Sequence, residues 1–357
     1  MSPRPLPSSY RLLLLMLLLC GSQIPRPVSA APLQVAVEQA VGAPGLNSPA
    51  PSSRRPSKID LLRRLAESGN PEAQFNLALL HDQGEELPEN NEEALKWYRK
   101  AADQGFTRAQ FNLAIMYDEG EGVSEDNAEA VKWYTKAANQ GDPAAMFNLG
   151  IMHARGEGVP ANKAEARSWF LKAAEAGDVS AMFNLALIFD EGDDVQEDNV
   201  QALKWYRKAA ERGHPKAQLN LGLMYDEGEG INEDNAEAVK WYRRSAEQGN
   251  AKAQFNLGLM LAKGEGVKPD KGEAARWYTR AAQQGDVSAQ YNLALAFEEG
   301  DGVPKDMVSA FVWYQLAADR GDEDARNNLA ALKLRMSPKQ LADADKRLLT
   351  QRKGSQP

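Results

Sequence analysis

Histidine, cysteine and clustered carboxylates are the side chains with which this 357-residue chain would have to build a catalytic or metal centre. Its three histidines, His81, His153 and His214, lie far apart, and the sequence register places His81 and His153 at the surface as plain solvated residues. No H-E-x-x-H zinc motif and no G-x-S-x-G nucleophile motif is present. The single cysteine, Cys20, lies in an apolar segment near the start. The sequence therefore predicts no catalytic residue, no metal site and no cofactor, and it argues against an enzyme.

Carboxylates do cluster in glycine-containing segments, of which DEGEGINED at residues 226–234 is an example. Their spacing is not that of an EF-hand loop, and turns explain their glycines, so calcium is not the favoured interpretation. Phosphate is disfavoured further, because no strand precedes the Gly-x-Gly and the carboxylates would repel an anion. We interpret these segments as acidic loops between helices.

The elements that carry these loops are indicated by tryptophan, which recurs at a fixed interval of 36 residues. Every tryptophan belongs to the series, which comprises Trp97, Trp133, Trp169, Trp205, Trp241, Trp277 and Trp313. A fixed period of this size indicates one supersecondary unit copied many times. It predicts a stacked array of 36-residue repeats and favours a binding scaffold over an enzyme.

Each repeat is predicted to form two helices. In one repeat, Leu113 and Tyr117 share the apolar face of a first helix over about 107–119. Gly120 ends that helix, since glycine readily adopts the left-handed conformation of a C-cap. A second helix, over about 128–140, carries the tryptophan on its own apolar face. Neither helix can bury its apolar face alone, so stacking of the repeats must supply the core.

The marker residues of the repeats resemble a known family. The second helices read A-x-x-W-Y-x-x-A-A-x-x-G, the first helices A-x-x-N-L-[AG]-x-x-[YF], and the loops G-x-G-[VI]. These motifs resemble the Sel-like repeat, named for the suppressor/enhancer-of-lin protein and related to the tetratricopeptide repeat, over about Lys58 to Leu334. The resemblance implies an all-α, right-handed superhelical solenoid of antiparallel helix pairs, with a concave inner face used for protein binding.

Several positions depart from this pattern. Glu86 and Asp194 stand in place of the second loop glycine, and Ala154-Arg155 and Ala262-Lys263 stand in place of the usual acidic pair after the first helix. At the start of the array, residues 59–69 read as a lone second helix, so the repeats open on a half unit.

The first 30 residues resemble a secretory signal peptide. Arg4 and Arg11 accompany the apolar run LLLLMLLLC, and Val-Ser-Ala at 28–30 places the cut between Ala30 and Ala31. The run is too short for a bilayer, which takes about 20 apolar residues. The residue before a lipidated cysteine is normally small, so Leu19 disfavours lipidation of Cys20. We expect a cleaved signal and no stable membrane insertion afterwards.

The rest of the chain divides by composition and period. Residues 31–56 are rich in Ala, Pro, Gly and Ser without a periodic apolar pattern, which predicts a flexible linker. Residues 57–336 form the predicted solenoid. Residues 337–357 begin with S-P-K-Q, a capping box with proline at the first helical position, and predict a C-terminal capping helix and tail.

Cleavage after Ala30 would leave an acidic chain without a thiol. It removes three arginines and Cys20, so the formal net charge moves from −8 to −11. Packing alone must then hold the protein, including in an oxidising compartment. The acidic balance argues against nucleic acid and against anionic membrane surfaces as partners.

The first candidate binding feature is an aromatic row on the first helices. Its members are Phe75, Phe111, Phe147, Phe183, Phe255 and Tyr291, with Leu219 substituting once. One interpretation is the apolar floor of a groove that accepts a partner helix or peptide. The other, which we favour, is core packing between adjacent first helices, because a solenoid buries apolar faces between repeats.

The second candidate is a series of acidic residues at the ends of the first helices. Besides Asp82 it comprises Asp118, Glu119, Asp190, Glu191, Asp226, Glu227, Glu298 and Glu299, and we call these eight residues the acidic edge. The tetratricopeptide likeness would aim them inward. They are either an electrostatic attractant for a basic partner or ordinary solvated charge, and the sequence leaves both interpretations open.

Together these features predict an exported scaffold that binds a protein or peptide with a basic segment, as an adaptor or regulator. We expect a periplasmic or secreted location, or the endoplasmic reticulum lumen in a eukaryote. The alternative is an envelope hydrolase acting on cell wall or β-lactams. Some Sel-like relatives have been discussed in that role, but those chains are cysteine-rich and this one is not.

Overall fold

A computed structural model describes residues 57–84, 86–193 and 195–354. The predicted signal peptide, its cleavage site at Ala30 and Ala31, the linker, Cys20 and Asp194 lie outside the described residues. The described residues form α-helices and no strand. In chain order the helices are α1 Lys58–Glu67, α2 Pro71–Gln83, α3 Asn91–Asp103, α4 Thr107–Glu119, α5 Asn127–Asn139, α6 Pro143–Arg155, α7 Lys163–Glu175, α8 Val179–Glu191, α9 Asn199–Glu211, α10 Pro215–Glu227, α11 Asn235–Glu247, α12 Ala251–Lys263, α13 Lys271–Gln283, α14 Val287–Glu299, α15 Met307–Asp319, α16 Glu323–Lys333 and α17 Pro338–Gly354.

The helices fall into two compact units, one ending at Leu185 and the other beginning at Ala186, inside α8. In the N-terminal unit, α1 precedes the helix pairs α2/α3, α4/α5 and α6/α7. In the C-terminal unit, the pairs α10/α11, α12/α13 and α14/α15 follow one another, and α17 packs on α15. Within each unit, every pair also contacts the next, which is the solenoid arrangement that the 36-residue period predicts.

Polar caps and glycine set the ends of the helices. Asp126 caps α5, because its Oδ1 accepts a hydrogen bond from the Glu129 N–H at 2.9 Å. Gly120 ends α4 in the left-handed conformation, with φ of 72°. The first helices begin on Asn or Asp in most repeats, and the exceptions are Phe106, which makes no side-chain cap, and His214, whose Nδ1 accepts from the Ala217 N–H.

The core lies between the two helices of a pair and between neighbouring pairs. Leu113 on α4 and Tyr134 on α5 are fully buried, and the alanines of the second helices are small enough to let the helices approach closely. Trp133 is 5% exposed, and the Lys136 ammonium lies 3.5 Å from the centre of its ring. Apolar burial between repeats therefore holds the array together.

The second loop glycine packs so closely on the second helix of the preceding repeat that no side chain fits there. Gly122 has φ of 67°, and a Cβ on it would lie 2.4 Å from the Asn91 carbonyl oxygen, at the start of α3. Gly158, Gly230, Gly266 and Gly302 sit equally close to the preceding second helix. Glu86 occupies this position in the first full repeat, where the matching position, 55, falls before α1 begins. The glutamate therefore meets no helix of the described residues there.

Candidate interaction surface

Each inner carboxylate of the acidic edge accepts a hydrogen bond from a buried tyrosine. The Tyr206 hydroxyl donates to Asp190 Oδ2 at 2.9 Å, and Tyr314 donates to Glu298 Oε2 at 2.9 Å. The same bond joins Tyr98 to Asp82, Tyr134 to Asp118 and Tyr242 to Asp226, always across 16 residues. The tyrosine lies on the second helix and the carboxylate at the end of the first. The bond therefore fixes the two helices of one repeat to each other.

An asparagine from the following repeat completes this arrangement. The Asn112 amide donates to the Tyr98 hydroxyl at 3.0 Å, and Asn328 donates to Tyr314 at 3.4 Å. Asn220 and Asn256 lie beside Tyr206 and Tyr242, where they oppose the rise in the pKa of each hydroxyl. These asparagines are the residues of the recurrent Asn-Leu pair. We call the set of carboxylate, tyrosine and asparagine the tyrosine relay.

Burial changes the acidity of the inner carboxyls. It is the main cause that raises the pKa of Asp118 to about 6, with the neighbouring charge of Glu157 adding to it. Burial likewise raises the pKa of Asp226, and the Tyr242 hydroxyl bond only partly opposes this. The inner carboxylates are therefore half-buried structural acceptors, which the sequence did not indicate.

The outer carboxylates have a different environment. Glu119, Glu227 and Glu299 are exposed, and Glu191 is half-buried. On the inner side, Glu298 also forms an ion pair with Arg335, which follows α16. The acidic edge thus separates into an inner set held by tyrosines and an outer set that largely faces solvent.

The aromatic row lies in the core. Phe111, Phe147, Phe183 and Phe255 are 2%, 6%, 3% and 1% exposed, and Tyr291 is half-buried. The Phe111 ring packs on Tyr134 with centroids 5.7 Å apart, and Phe255 packs on Tyr278 at 6.0 Å. The rings therefore contact the second helix of their own repeat, and packing between adjacent first helices stays a prediction. Such buried rings form no open groove floor, and a partner-binding role for them stays a prediction.

Glutamine forms a second polar network that sequence reasoning missed. Gln140 donates to Gln110 Oε1 at 2.6 Å, and Gln110 donates to the Ala102 carbonyl of the preceding repeat at 3.1 Å. Equivalent pairs join Gln104 to Gln74, Gln248 to Gln218 and Gln284 to Gln254, each 30 residues apart. Met146 and Met182 take the first-helix position in α6 and α8. The recurrence of glutamine at this spacing was visible in the sequence and is its signal.

The histidines are not where the sequence register placed them. His81 and His153 are half-buried, and the Nδ1 atom of each is buried without a hydrogen-bond partner. Both take the position of Tyr117, an apolar slot in the last turn of the first helix, so the expectation of solvated side chains is wrong. His214 is an N-cap, and burial lowers its pKa to about 4. The three side chains belong to different repeats.

The described residues contain neither a candidate metal cluster nor a membrane-spanning helix. No group of three or more His, Cys, Asp or Glu side chains there could hold a metal ion. None of the helices in that part of the chain combines the length and the apolar character needed to cross a bilayer.

Fold and surface together define a helix-pair repeat scaffold, and comparison with known proteins gives its family. The Sel1 repeat matches residues 71–106, 107–142, 143–178, 179–214, 215–250, 251–286 and 287–322. The chain belongs to the Sel1 repeat family. This is a scaffold fold of the type that typically mediates protein interactions.

Two solved structures share the fold and more than a third of the aligned sequence. One is a protective antigen present in uropathogenic Escherichia coli strains and displaying an SLR fold, with 38% identity and a TM-score of 0.76 over 80% of this chain. The match spans only 62% of that protein's length. The other is a Sel1 repeat protein from Oxalobacter formigenes, with 36% identity and a TM-score of 0.62 over 77% of this chain and 80% of that one. No curated protein matches the chain.

Proposed function

We propose that this protein is an exported scaffold that binds a protein or peptide partner through the acidic edge, and that the partner contributes a basic segment. The division of the edge carries the proposal. Tyrosines hold the inner carboxylates Asp118 and Asp226 at 3.4 and 3.0 Å, while the neighbouring outer carboxylates Glu119 and Glu227 are exposed. Negative charge that is repeated within each unit suits a partner that contributes positive charge.

Electrostatic steering is the physical effect expected of such a surface. Complementary charge raises the association rate more than it lowers the dissociation rate, and salt screens it. Exposed pairs act over about 8 Å at physiological ionic strength and about 3 Å at 1 M salt. Binding through the acidic edge should therefore weaken steeply as salt is added.

Export rests on the sequence. A charged start, a short apolar run and Val-Ser-Ala before Ala31 support cleavage, and a mature chain without cysteine suits a periplasmic, secreted or lumenal compartment. The intact mass of the protein recovered outside the cytoplasm tests this. A mass that retains residues 1–30, or one that carries lipid on Cys20, would contradict it. Nothing among the described residues favours the alternative of an envelope hydrolase.

The partner is tested by capture from envelope extract on the mature chain, followed by association kinetics with the captured protein. Replacing Glu119, Glu227 and Glu299 with Gln removes outer charge without touching the tyrosine relay. We expect a slower association rate and a shallower dependence on salt.

The chain offers a matched control for these substitutions. Glu175, Glu211 and Glu247 are exposed at the ends of second helices, so their replacement by Gln removes the same charge elsewhere. An equal loss in both triple variants would mean that net charge, and not the acidic edge, governs binding. Association that ignores both salt and the outer carboxylates would rule out this surface.

A further inference from the structure

One repeat keeps the tyrosine of the relay but has lost its carboxylate. In the unit of α12 and α13, Ala262 stands where Asp226 stands one repeat earlier, and Tyr278 stands where Tyr242 does. Sequence alone shows this replacement, since Ala262-Lys263 departs from the usual acidic pair. The structure shows what the replacement leaves behind.

In this incomplete relay, Tyr278 and Asn292 do not hydrogen-bond to each other. The Asn292 amide turns to its own helix and donates to the Ser288 carbonyl at 2.8 Å. The Tyr278 side chain is 5% exposed, and its hydroxyl makes no hydrogen bond to any residue that the structure describes. The hydroxyl oxygen is not among the fully buried polar atoms that lack a partner, so it remains accessible to an acceptor that enters from outside.

A cavity of about 240 Å³ opens at the site of the missing carboxylate. Ala262, Tyr278 and Asn292 line it, together with Lys263, Lys271, Glu299 and Asp301. One repeat earlier, the positions of the two lysines are held by Glu227 and Asn235. The loss of the carboxylate is thus accompanied by two lysines beside the space it would have filled, where Lys263 pairs with Glu265 and Lys271 with Asp301.

We propose that this cavity binds a carboxylate group supplied from outside the chain, with the Tyr278 hydroxyl as its hydrogen-bond donor and Lys263 and Lys271 as flanking cations. In every complete relay among the described residues, the group that accepts from the tyrosine is a carboxylate. A ligand carboxylate would therefore restore chemistry that the neighbouring repeats provide from within. The inference does not rest on the proposed function, because its donor, Tyr278, lies outside the acidic edge, although Glu299 belongs to that edge and also lines the cavity.

The repeat of α6 and α7 shows that the hydroxyl is the distinguishing feature. There Ala154 also replaces the carboxylate, but Phe170 replaces the tyrosine, and Asn184 donates to the Ser180 carbonyl at 2.9 Å. That repeat lacks both the tyrosine hydroxyl and the carboxylate, so no hydroxyl of the relay is left without an acceptor there. The repeat of α12 and α13 has lost the acceptor only.

A substitution that returns the carboxylate tests the cavity from inside. Ala262→Asp should restore the bond to Tyr278 and raise the melting temperature of the full chain by about 2–4 °C, as roughly 1 kcal/mol does in a domain of this size. Ala154→Asp is the matched control, because Phe170 offers no donor, and it should lower the melting temperature. A melting temperature that falls equally in both variants would overturn the assignment.

Ligand binding tests the cavity from outside, with two probes followed by NMR of labelled tyrosine in the full chain. The probes are sodium acetate, a free carboxylate, and the peptide acetyl-Gly-Glu-Gly-amide, whose glutamate mimics a partner side chain. We expect saturable shifts of the Tyr278 ring resonances with the glutamyl peptide, and none with its glutaminyl counterpart. Saturation by acetate but not by the peptide would also support the carboxylate site and would assign it to small free acids.

Two variants decide whether the shifts report this cavity. Ala262→Asp fills the acceptor position and should weaken binding roughly tenfold or more, the factor expected for the loss of one hydrogen bond to a charged group. Tyr278→Phe removes the donor together with the reporting ring, so binding to this variant and to the parent is compared by calorimetry. It should weaken binding as much while leaving the fold intact, since Phe170 occupies the same position naturally. Binding that is unchanged in these variants, or equal for the glutaminyl peptide, would overturn the proposal.

Discussion

The Tyr242 hydroxyl donates to Asp226 Oδ2 at 3.0 Å, and this bond joins a fully buried side chain of α11 to the last turn of α10. The bond shows that Asp226 links the two helices of its repeat, a role that its position in an acidic pair of the sequence does not reveal. It also means that, where the relay holds the first residue of an acidic pair, that carboxylate contributes to folding and its neighbour to the surface charge. The two roles are separable by substitution.

Removing the Tyr242 hydroxyl should destabilise the C-terminal unit. Tyr242→Phe leaves Asp226 half-buried without its donor, and we expect a loss of about 1.5–3 kcal/mol, the range for hydrogen bonds to charged groups. Tyr278→Phe is the control, since that hydroxyl has no partner among the described residues, and it should change the free energy of unfolding by much less. Urea unfolding of both variants measures the difference. Equal losses would show that the relay contributes nothing.

Asp118 should make folding less favourable as pH rises. Its folded-state pKa is raised from 3.8 to about 6, so its contribution is fully present below the ordinary pKa and is lost as pH rises through about 6. Asp118→Asn keeps an acceptor for Tyr134 and cannot ionise. The gain in unfolding free energy of this variant over the parent should therefore be larger at about pH 7 than at about pH 5. A gain equal at the two pH values would contradict the raised pKa, and Glu119→Gln controls for the loss of charge.

His214 should make folding more favourable as pH rises, the reverse of the effect of Asp118. Burial lowers its folded-state pKa from 6.5 to about 4, so the stability it contributes is present above 6.5 and is lost as pH falls toward 4. His214→Asn introduces the cap that Asn70 and Asn250 provide in other repeats. The variant should be stabilised relative to the parent at about pH 5 and much less so at about pH 7.5. Thermal melts across this range check it, and a stabilisation independent of pH would point to cap geometry alone.

Whole repeats should be removable without unfolding the protein, and the fall in melting temperature should be larger when the deletion interrupts the glutamine network. Deleting residues 252–287 preserves the register and brings Gln290 to the place of Gln254, so the glutamine network continues. Deleting residues 108–143 brings Met146 to the place of Gln110, so the Ala102 carbonyl loses the donor that Gln110 provides. We expect both proteins to fold, because a solenoid is stabilised by nearest-neighbour contacts, and the second to melt at the lower temperature. Circular dichroism measures both, and loss of helicity in the first deletion would contradict the repeat architecture.

The fold was predictable because its signals are periodic. Tryptophan spacing gave the repeat length, and Gly120 gave the end of α4, because backbone conformation and apolar faces are properties of single elements. The tyrosine relay was not predictable in the same way. Asp118 reads as surface charge beside Glu119, and only the packing of α5 against α4 brings the Tyr134 hydroxyl to it.

The error on the histidines has a physical cause. A first helix contacts its own second helix on one side and neighbouring repeats on others, so few of its positions face only solvent. His81 was assigned to the surface from the register of one helix, and burial by the surrounding helices decides its environment instead.

The glutamine network also bears on how such a gene changes length. Every link joins residues at one constant offset of 30, as Gln140 joins Gln110 and Gln284 joins Gln254. Unequal recombination that adds or removes a whole unit between glutamine-bearing repeats therefore places a glutamine again opposite a glutamine. It needs no compensating substitution. A crossover at α6 or α8, where methionine interrupts the series, would inherit a mismatch. Selection should thus let the array grow and shrink more freely at some repeats than at others.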